Sequence, residues 1–300
     1  MKNRPSLKLA AILIGLTSSL AFAQQTPVPS YYEDAGKTIG KAGTLNADGS
    51  YRINLPRKDV NFTHASGMPI DADLGLATYI AFHGTEDRAL AVGDVAMLEG
   101  EIDGVIDNLR AGGFEVIALH NHMTTEEPRL FFLHFQASGS PAVLAATFRK
   151  ALNVLGHGTA RPILGKPGKP KLDADALSTV FGAKPQVFPS GVLRYANPRK
   201  DIKVSVNDES FLPGMGLASW AAFYACECGQ TLVMGDTCAV RTDLQQVIDA
   251  LRKGGIHITS IHNHTLGGSQ EVIFLHYEGE GDAVKLAGGI KACWNVLGVK

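Results

Sequence analysis

Apolar residues at Ile102, Val105, Ile106 and Leu109 recur at i, i+3, i+4 and i+7, and Leu244, Val247, Ile248 and Leu251 repeat that spacing later in the chain. Each series predicts an amphipathic helix with one face against a core, stopped by Gly112-Gly113 and Gly254-Gly255. A second helix in each half is expected from Leu144, Phe148, Leu152 and Leu155, matched by Leu286, Ile290, Trp294 and Leu297. Ser140-Pro141 and Asp282 supply their starts. Thr242 with Gln245 predicts a capping box on the helix that begins near Leu244. Strands are expected at 51–55 and 60–64, flanking a Pro-Arg-Lys-Asp turn, and at 78–83 and 89–97; 114–123 with 130–137 reads as an antiparallel hairpin. The pattern is that of an α+β fold in two tandem homologous repeats, each an antiparallel sheet with two amphipathic helices.

The duplication is visible in the residues themselves. A shift of 142 positions lays Pro56-Arg57-Lys58-Asp59 on Pro198-Arg199-Lys200-Asp201, Gly93-Asp94 on Gly235-Asp236, and His120-Asn121-His122 on His262-Asn263-His264. We place repeat one at 31–157, a Gly/Pro-rich linker at 158–171 and repeat two at 172–300. Two copies fall short of a solenoid, so a pseudo-symmetric pair is expected.

Ahead of the repeats, Lys2, Arg4 and Lys8 precede an apolar stretch from Leu9 to Leu20, and Ala21-Phe22-Ala23 fits a small-x-small cleavage site. Residues 1–23 therefore read as a signal peptide, which implies a periplasmic or secreted protein with no stable membrane insertion after cleavage. With 28 Lys and Arg against 29 Asp and Glu, the chain lacks the basic excess that nucleic-acid binding needs, so no nucleic-acid partner is expected. Cys226, Cys228, Cys238 and Cys293 all lie in the second half, and an oxidising compartment allows one or two disulfides among them. Cys226 and Cys228 share one face of a strand, a pair that also suits a soft metal.

Six of the ten histidines belong to one motif used twice. Alternation along a strand puts His120 and His122 on one face, and an even register that pairs residue 120 with 134 adds His134 to it. His262, His264 and His276 repeat the spacing. Three imidazoles on neighbouring strands can converge on a divalent metal, with zinc favoured over copper, and leave one position open for water or substrate. Two other readings compete: a polar or hydrogen-bonded cluster without an ion, and direct binding of an anionic or sugar ligand. Beside the first hairpin, Glu127 is the candidate general base and Arg129 the candidate clamp for an anionic substrate; the second copy carries Ser269 and Glu271 there. Asp94 and Asp236 are candidates to orient a ligating histidine, with a bulge or turn role as the alternative. Arg57 with Asp59, and Arg199 with Asp201, are expected to fix hairpin turns.

Taken together, the Pro-Arg-x-Asp, Gly-Asp and His-Asn-His motifs, followed by Pro128-Arg129 and His134, resemble the LppY/LpqO family of exported proteins, whose repeated domain is a domain of unknown function. The resemblance covers nearly all of the chain after residue 23, and the second copy lacks the Pro-Arg pair. It implies no reaction. Members of that family that are lipoproteins carry a lipobox cysteine, which this chain lacks, so anchoring is not carried over. The sequence thus leads to an exported two-repeat protein with a metal-binding histidine face in each repeat and a metal-assisted hydrolase as the enzymatic reading. The alternative is a non-catalytic periplasmic protein that binds a cell-envelope or small anionic ligand.

Overall fold

The computed structural model describes residues 27–156, 172–225 and 230–297. The leader expected at 1–23, the linker expected at 158–171, and Cys226 and Cys228 lie outside the described residues. Repeat one opens with helix α1 (Ser30–Ile39), followed by strands β1 (Thr44–Leu45), β2 (Tyr51–Pro56), β3 (Phe62–His64), β4 (Pro69–Ile70), β5 (Ala77–Gly84) and β6 (Ala89–Leu98). It continues through α2 (Ile102–Ala111), β7 (Glu115–His120), β8 (Glu126–Glu127), β9 (Leu130–Gly139) and α3 (Pro141–Leu152). Repeat two begins with α4 (Ala174–Phe181), β10 (Gln186–Val187), β11 (Leu193–Pro198), β12 (Val204–Val206) and β13 (Glu209–Phe211). β14 (Ala218–Ala225), β15 (Thr231–Val240), α5 (Leu244–Lys253), β16 (His257–His262), β17 (Val272–Gly281) and α6 (Ala283–Val296) complete it.

Each repeat contributes one antiparallel six-stranded sheet with the same order, β1-β2-β5-β6-β9-β7 and β10-β11-β14-β15-β17-β16. The central strand β6 is buried at every position, which explains why Ala89–Leu98 reads as an apolar run rather than an alternation. Its odd positions Ala91, Val95 and Met97 pack with Phe82, Phe135 and the helical residues Val105, Leu109 and Phe148. Its even positions point the other way. Ala96 and Leu98 pack with Leu232 and Met234 of repeat two, while Leu90 and Val92 pack with Cys238 and Phe274. The same residues exchange partners under the 142-residue shift, so the two sheets face each other about a pseudo-two-fold axis that passes near Asp94 and Asp236. Helices α1–α3 cover the outside of one sheet and α4–α6 the outside of the other.

The sheets are also laced together by polar contacts that obey the same symmetry. Gln136 Oε1 accepts from the Leu266 amide at 2.9 Å and its Nε2 donates to the Leu266 carbonyl at 3.1 Å. At the equivalent place in the other half, Glu278 Oε1 accepts from the Thr124 hydroxyl at 2.6 Å and its Oε2 from the Thr125 hydroxyl at 3.0 Å.

Three expectations about local structure are corrected. Among the described residues each repeat holds a third α-helix besides the two expected, because α1 and α4 precede the first strand of their sheets. The Pro-Arg-Lys-Asp turn does not join paired strands: β2 pairs with β5, whereas β3 pairs with β4 and β8. Arg57 instead holds distant parts together, donating to Asp59, to the Ala96 carbonyl at 2.7 Å and to Glu101 at 2.8 Å in a buried position. The capping box at Thr242 is absent, since Asp243 is the N-cap without a side-chain cap bond and the Thr242 hydroxyl donates to Asp243. Cys238 and Cys293 are both buried free thiols.

Candidate metal centre between the repeats

On the inner face of repeat one, register places Asn54, Tyr79, Asp94, His134 and Ala118 side by side across β2, β5, β6, β9 and β7. In repeat two the row is Ala196, Trp220, Asp236, His276 and Ser260. His120 stands opposite Phe132 rather than His134, a two-residue difference from the expected pairing. Because the difference is even, His134 stays on the face of His120 and His122. The Gly-Asp pairs sit in regular strand rather than at a bulge. Gly93 is required because a Cβ there would lie 2.4 Å from the Phe135 ring on the helix side, while Asp94 next to it points inward.

The two inner faces meet, and the six imidazoles therefore form one cluster instead of one triad per repeat. Ring centroids lie 3.9 Å apart for His120 and His262, 3.8 Å for His122 and His276, and 3.8 Å for His134 and His264. One nitrogen from each of His120, His134, His262 and His276 falls within a common 4.8 Å, a set drawn equally from the two repeats; Asp94, His120 and His122 form a second such set. All six rings and both aspartates are buried.

Hydrogen bonding fixes the chemistry that the rings present. His134 Nδ1 lies 3.1 Å from the Gly93 carbonyl and His276 Nδ1 lies 3.2 Å from the Gly235 carbonyl. A carbonyl only accepts, so Nδ1 carries the proton and Nε2 offers its lone pair. Among the described residues those two Nε2 atoms, both ring nitrogens of His120, and His262 Nε2 have no hydrogen-bond partner. Burial pulls His134 down to about 4 and His262 down to about 3, and holds His120, His122, His264 and His276 well below the ordinary imidazole range. The rings are thus neutral ligands at pH 7. Asp94, 3.3 Å from His122 Nε2, is pushed up to about 6 by burial. Asp236 is pushed well above the carboxylate range by burial and then by Asp94 across the axis.

A cavity of about 470 Å³ opens beside this cluster between the sheets. It is lined by His122, His134, His264, His276 and both aspartates, and also by Arg52 and Arg194. Glu127 and Arg129 are not among its lining residues. Both are exposed, and Arg129 donates to the Thr124 carbonyl at 3.3 Å. The buried carboxylate of that turn is Glu126, which accepts from the Leu130 amide at 3.0 Å and pairs through backbone with His64 on β3. Ser269 and Glu271, in the second copy, are exposed as well. Sequence reasoning missed Arg52 and Arg194, and also Gln136 and Glu278, which clasp the facing repeat. The 142-residue shift that maps Arg52 onto Arg194, each a cation inside a short apolar strand, was the available signal.

A family model described as a Domain of Unknown Function (DUF1259) matches residues 33–154 and again 175–296. The chain belongs to this family. The two matches are separated by the same 142 residues as the motifs, and each spans one of the two sheets and its helices. No curated protein matches. Solved structures that align include the trimeric bacterial microcompartment shell protein PduB, at 14% identity over 85% of this chain and 89% of that chain with a TM-score of 0.20. Another is the ethanolamine utilization protein EutL from Leptotrichia buccalis C-1013-b, at 10% identity over 86% and 96% with a TM-score of 0.19. Superpositions at these scores carry no argument about this chain.

Proposed function

We propose that this protein binds a single divalent metal ion, zinc in preference to copper, between its two repeats, and that it acts as an exported metal-binding protein rather than a hydrolase. The observation that carries the reading is the set of four buried, neutral imidazoles, two from each repeat, whose Nε2 atoms have no hydrogen-bond partner among the described residues. Leaving a buried polar atom unsatisfied costs about 1–3 kcal/mol, so a cluster of them is tolerable only if something fills their common centre. Imidazole nitrogen suits zinc and copper, and four protein ligands complete the tetrahedral shell of a holding site, whereas catalytic zinc keeps a position open. His134 and His276 have the carbonyl-bonded Nδ1 that orients such ligands, and Asp94 and Asp236 lie close enough to balance an ion's charge. Glu127 and Arg129, the base and clamp on which the hydrolytic reading was built, are exposed and do not line the cavity. Export rests on the leader-like residues 1–23, and the match of their downstream repeats to exported LppY/LpqO relatives remains a resemblance.

The test is stoichiometry. Protein refolded with zinc and dialysed should retain about one ion per chain, and either His134→Ala or His276→Ala alone should abolish retention. Two independent triads would instead retain two ions in the parent and one in each variant. Less than about 0.2 ion per chain in the parent removes the metal reading.

A further inference from the structure

Two of the residues that line the cavity are arginines without an ion pair among the described residues. Arg52 and Arg194 are equivalent under the internal symmetry, sit on the second strand of their sheets, and face the same space. The Arg52 guanidinium lies 3.6 Å above the Tyr79 ring and Arg194 lies 4.3 Å from the Trp220 ring, equivalent aromatic platforms on β5 and β14. Stacking of this kind holds the fork in place and leaves its N–H edges free to donate. Arg52 Nε donates to Asn54 Oδ1 at 2.9 Å, while Arg194 Nε is buried without a partner. Among the described residues neither guanidinium forms an ion pair, although Asp94 attracts Arg52 and Asp73 attracts Arg194 from longer range. The two arginines repel each other, and burial with that repulsion lowers Arg194 to about 10.

We infer that the cavity binds a small organic oxyanion, a carboxylate or a phosphate, clamped between Arg52 and Arg194. Two half-buried like charges facing one cavity repel each other unless an opposite charge joins them, and a guanidinium fork matches the oxygens of carboxylate and phosphate. The volume lies within the roughly 300–1,000 Å³ range of small-molecule pockets. Gly75 and Gly216 keep it open: both have φ of +126°, and a Cβ on Gly216 would come within 2.9 Å of Tyr79 Oη at the cavity wall. The anion is held through the two arginines, on β2 and β11, whereas the candidate metal ligands lie on or next to β7, β9, β16 and β17.

The experiment is calorimetric titration of the full chain with inorganic phosphate, succinate and benzoate. The protein is first stripped with a chelator and dialysed into chelator-free buffer, so that a ligand held only through an ion does not register. Saturable binding of at least one probe is expected, with a Kd of about 1 mM or tighter, and the tighter class of probe separates carboxylate from phosphate. Arg52→Gln and Arg194→Gln should each weaken it about tenfold, the scale of one charge-assisted contact. Arg194→Lys keeps the charge but loses the fork, and should weaken binding several-fold even if the glutamine variants fold poorly. No saturable binding of any probe, or unchanged affinity in Arg194→Lys and Arg52→Gln, overturns the inference.

Discussion

Glu126 and Glu127 are adjacent, and alternation along β8 sends them to opposite environments. Glu126 is buried, with Oε1 accepting from Leu130 and Oε2 unpartnered among the described residues, while Glu127 faces solvent. Burial pushes Glu126 up to about 7, with Glu278 adding to the effect and Arg129 opposing it. A carboxyl whose folded pKa exceeds its unfolded value near 4.5 holds its proton more tightly when folded. Its contribution to stability is full below about 4.5 and is lost as the pH climbs through about 7. Glu126→Gln keeps the acceptor for Leu130 and removes the titration. The variant should therefore match the parent in urea unfolding at pH 4 and exceed it at pH 8 by on the order of 2 kcal/mol. Equal stability at pH 8 would mean that Glu126 is hydrated there. The acidic turn was visible in the sequence, but which of two neighbouring glutamates turns inward depends on the pairing of β8 with β3, a contact between segments more than sixty positions apart.

At the scale of elements, the helices α2, α3, α5 and α6 were legible because their apolar stripes are long and capped by glycine, proline or aspartate. α1 escaped because its core residues Tyr32, Ala35 and Ile39 are interrupted by a glycine and lie between polar neighbours, so the stripe is thin. That His120 and His122 share a face followed from strand alternation, whereas His134 joining them was conditional on an even register. The observed pairing was beyond reach, because an irregularity between Val116 and Ala118 shifts the register by one residue and so makes it even at His120 and His134. The turn from the short 3₁₀ segment Ala72–Leu74 into β5 shows how an element is fixed by its partner sheet. Gly75 has φ of +126°, and a Cβ there would stand 2.4 Å from Met234 Cε and 2.7 Å from the Trp220 ring, both in repeat two. Gly75→Ala thus adds steric conflict across the sheets to backbone strain, a loss of about 1–3 kcal/mol. Gly113→Ala, with φ of +81° and open space around its Cβ, carries the backbone part alone and should cost about 1 kcal/mol. Urea midpoints ranking Gly113→Ala below Gly75→Ala would show that the facing sheet yields freely at that contact.

For the molecule as a whole, the duplication was readable but its consequence was not. A repeat seen alone offers three imidazoles on an open sheet face, and the sequence contains no local sign that this face is to be closed by its twin. The sign is in β6 and β15, whose even positions are apolar on both sides of a single aspartate, a pattern that demands a second buried face. Once the faces meet, any ion held by His134 and His276 ties one sheet to the other, and binding energy becomes coupling energy between repeats. A ligand present at about a hundred times its Kd adds roughly 2.7 kcal/mol to the stability of the state that binds it. Chelation should therefore lower the melting temperature by several degrees, and it should do so for both repeats together. Amide hydrogen exchange separates this from independent sites: in zinc-loaded protein, His276→Ala in β17 should raise exchange in β9 of repeat one to the level of the chelated parent. Protection of β9 that survives this change would place any ion within a single repeat and would dissolve the link between the pseudo-symmetry and metal binding.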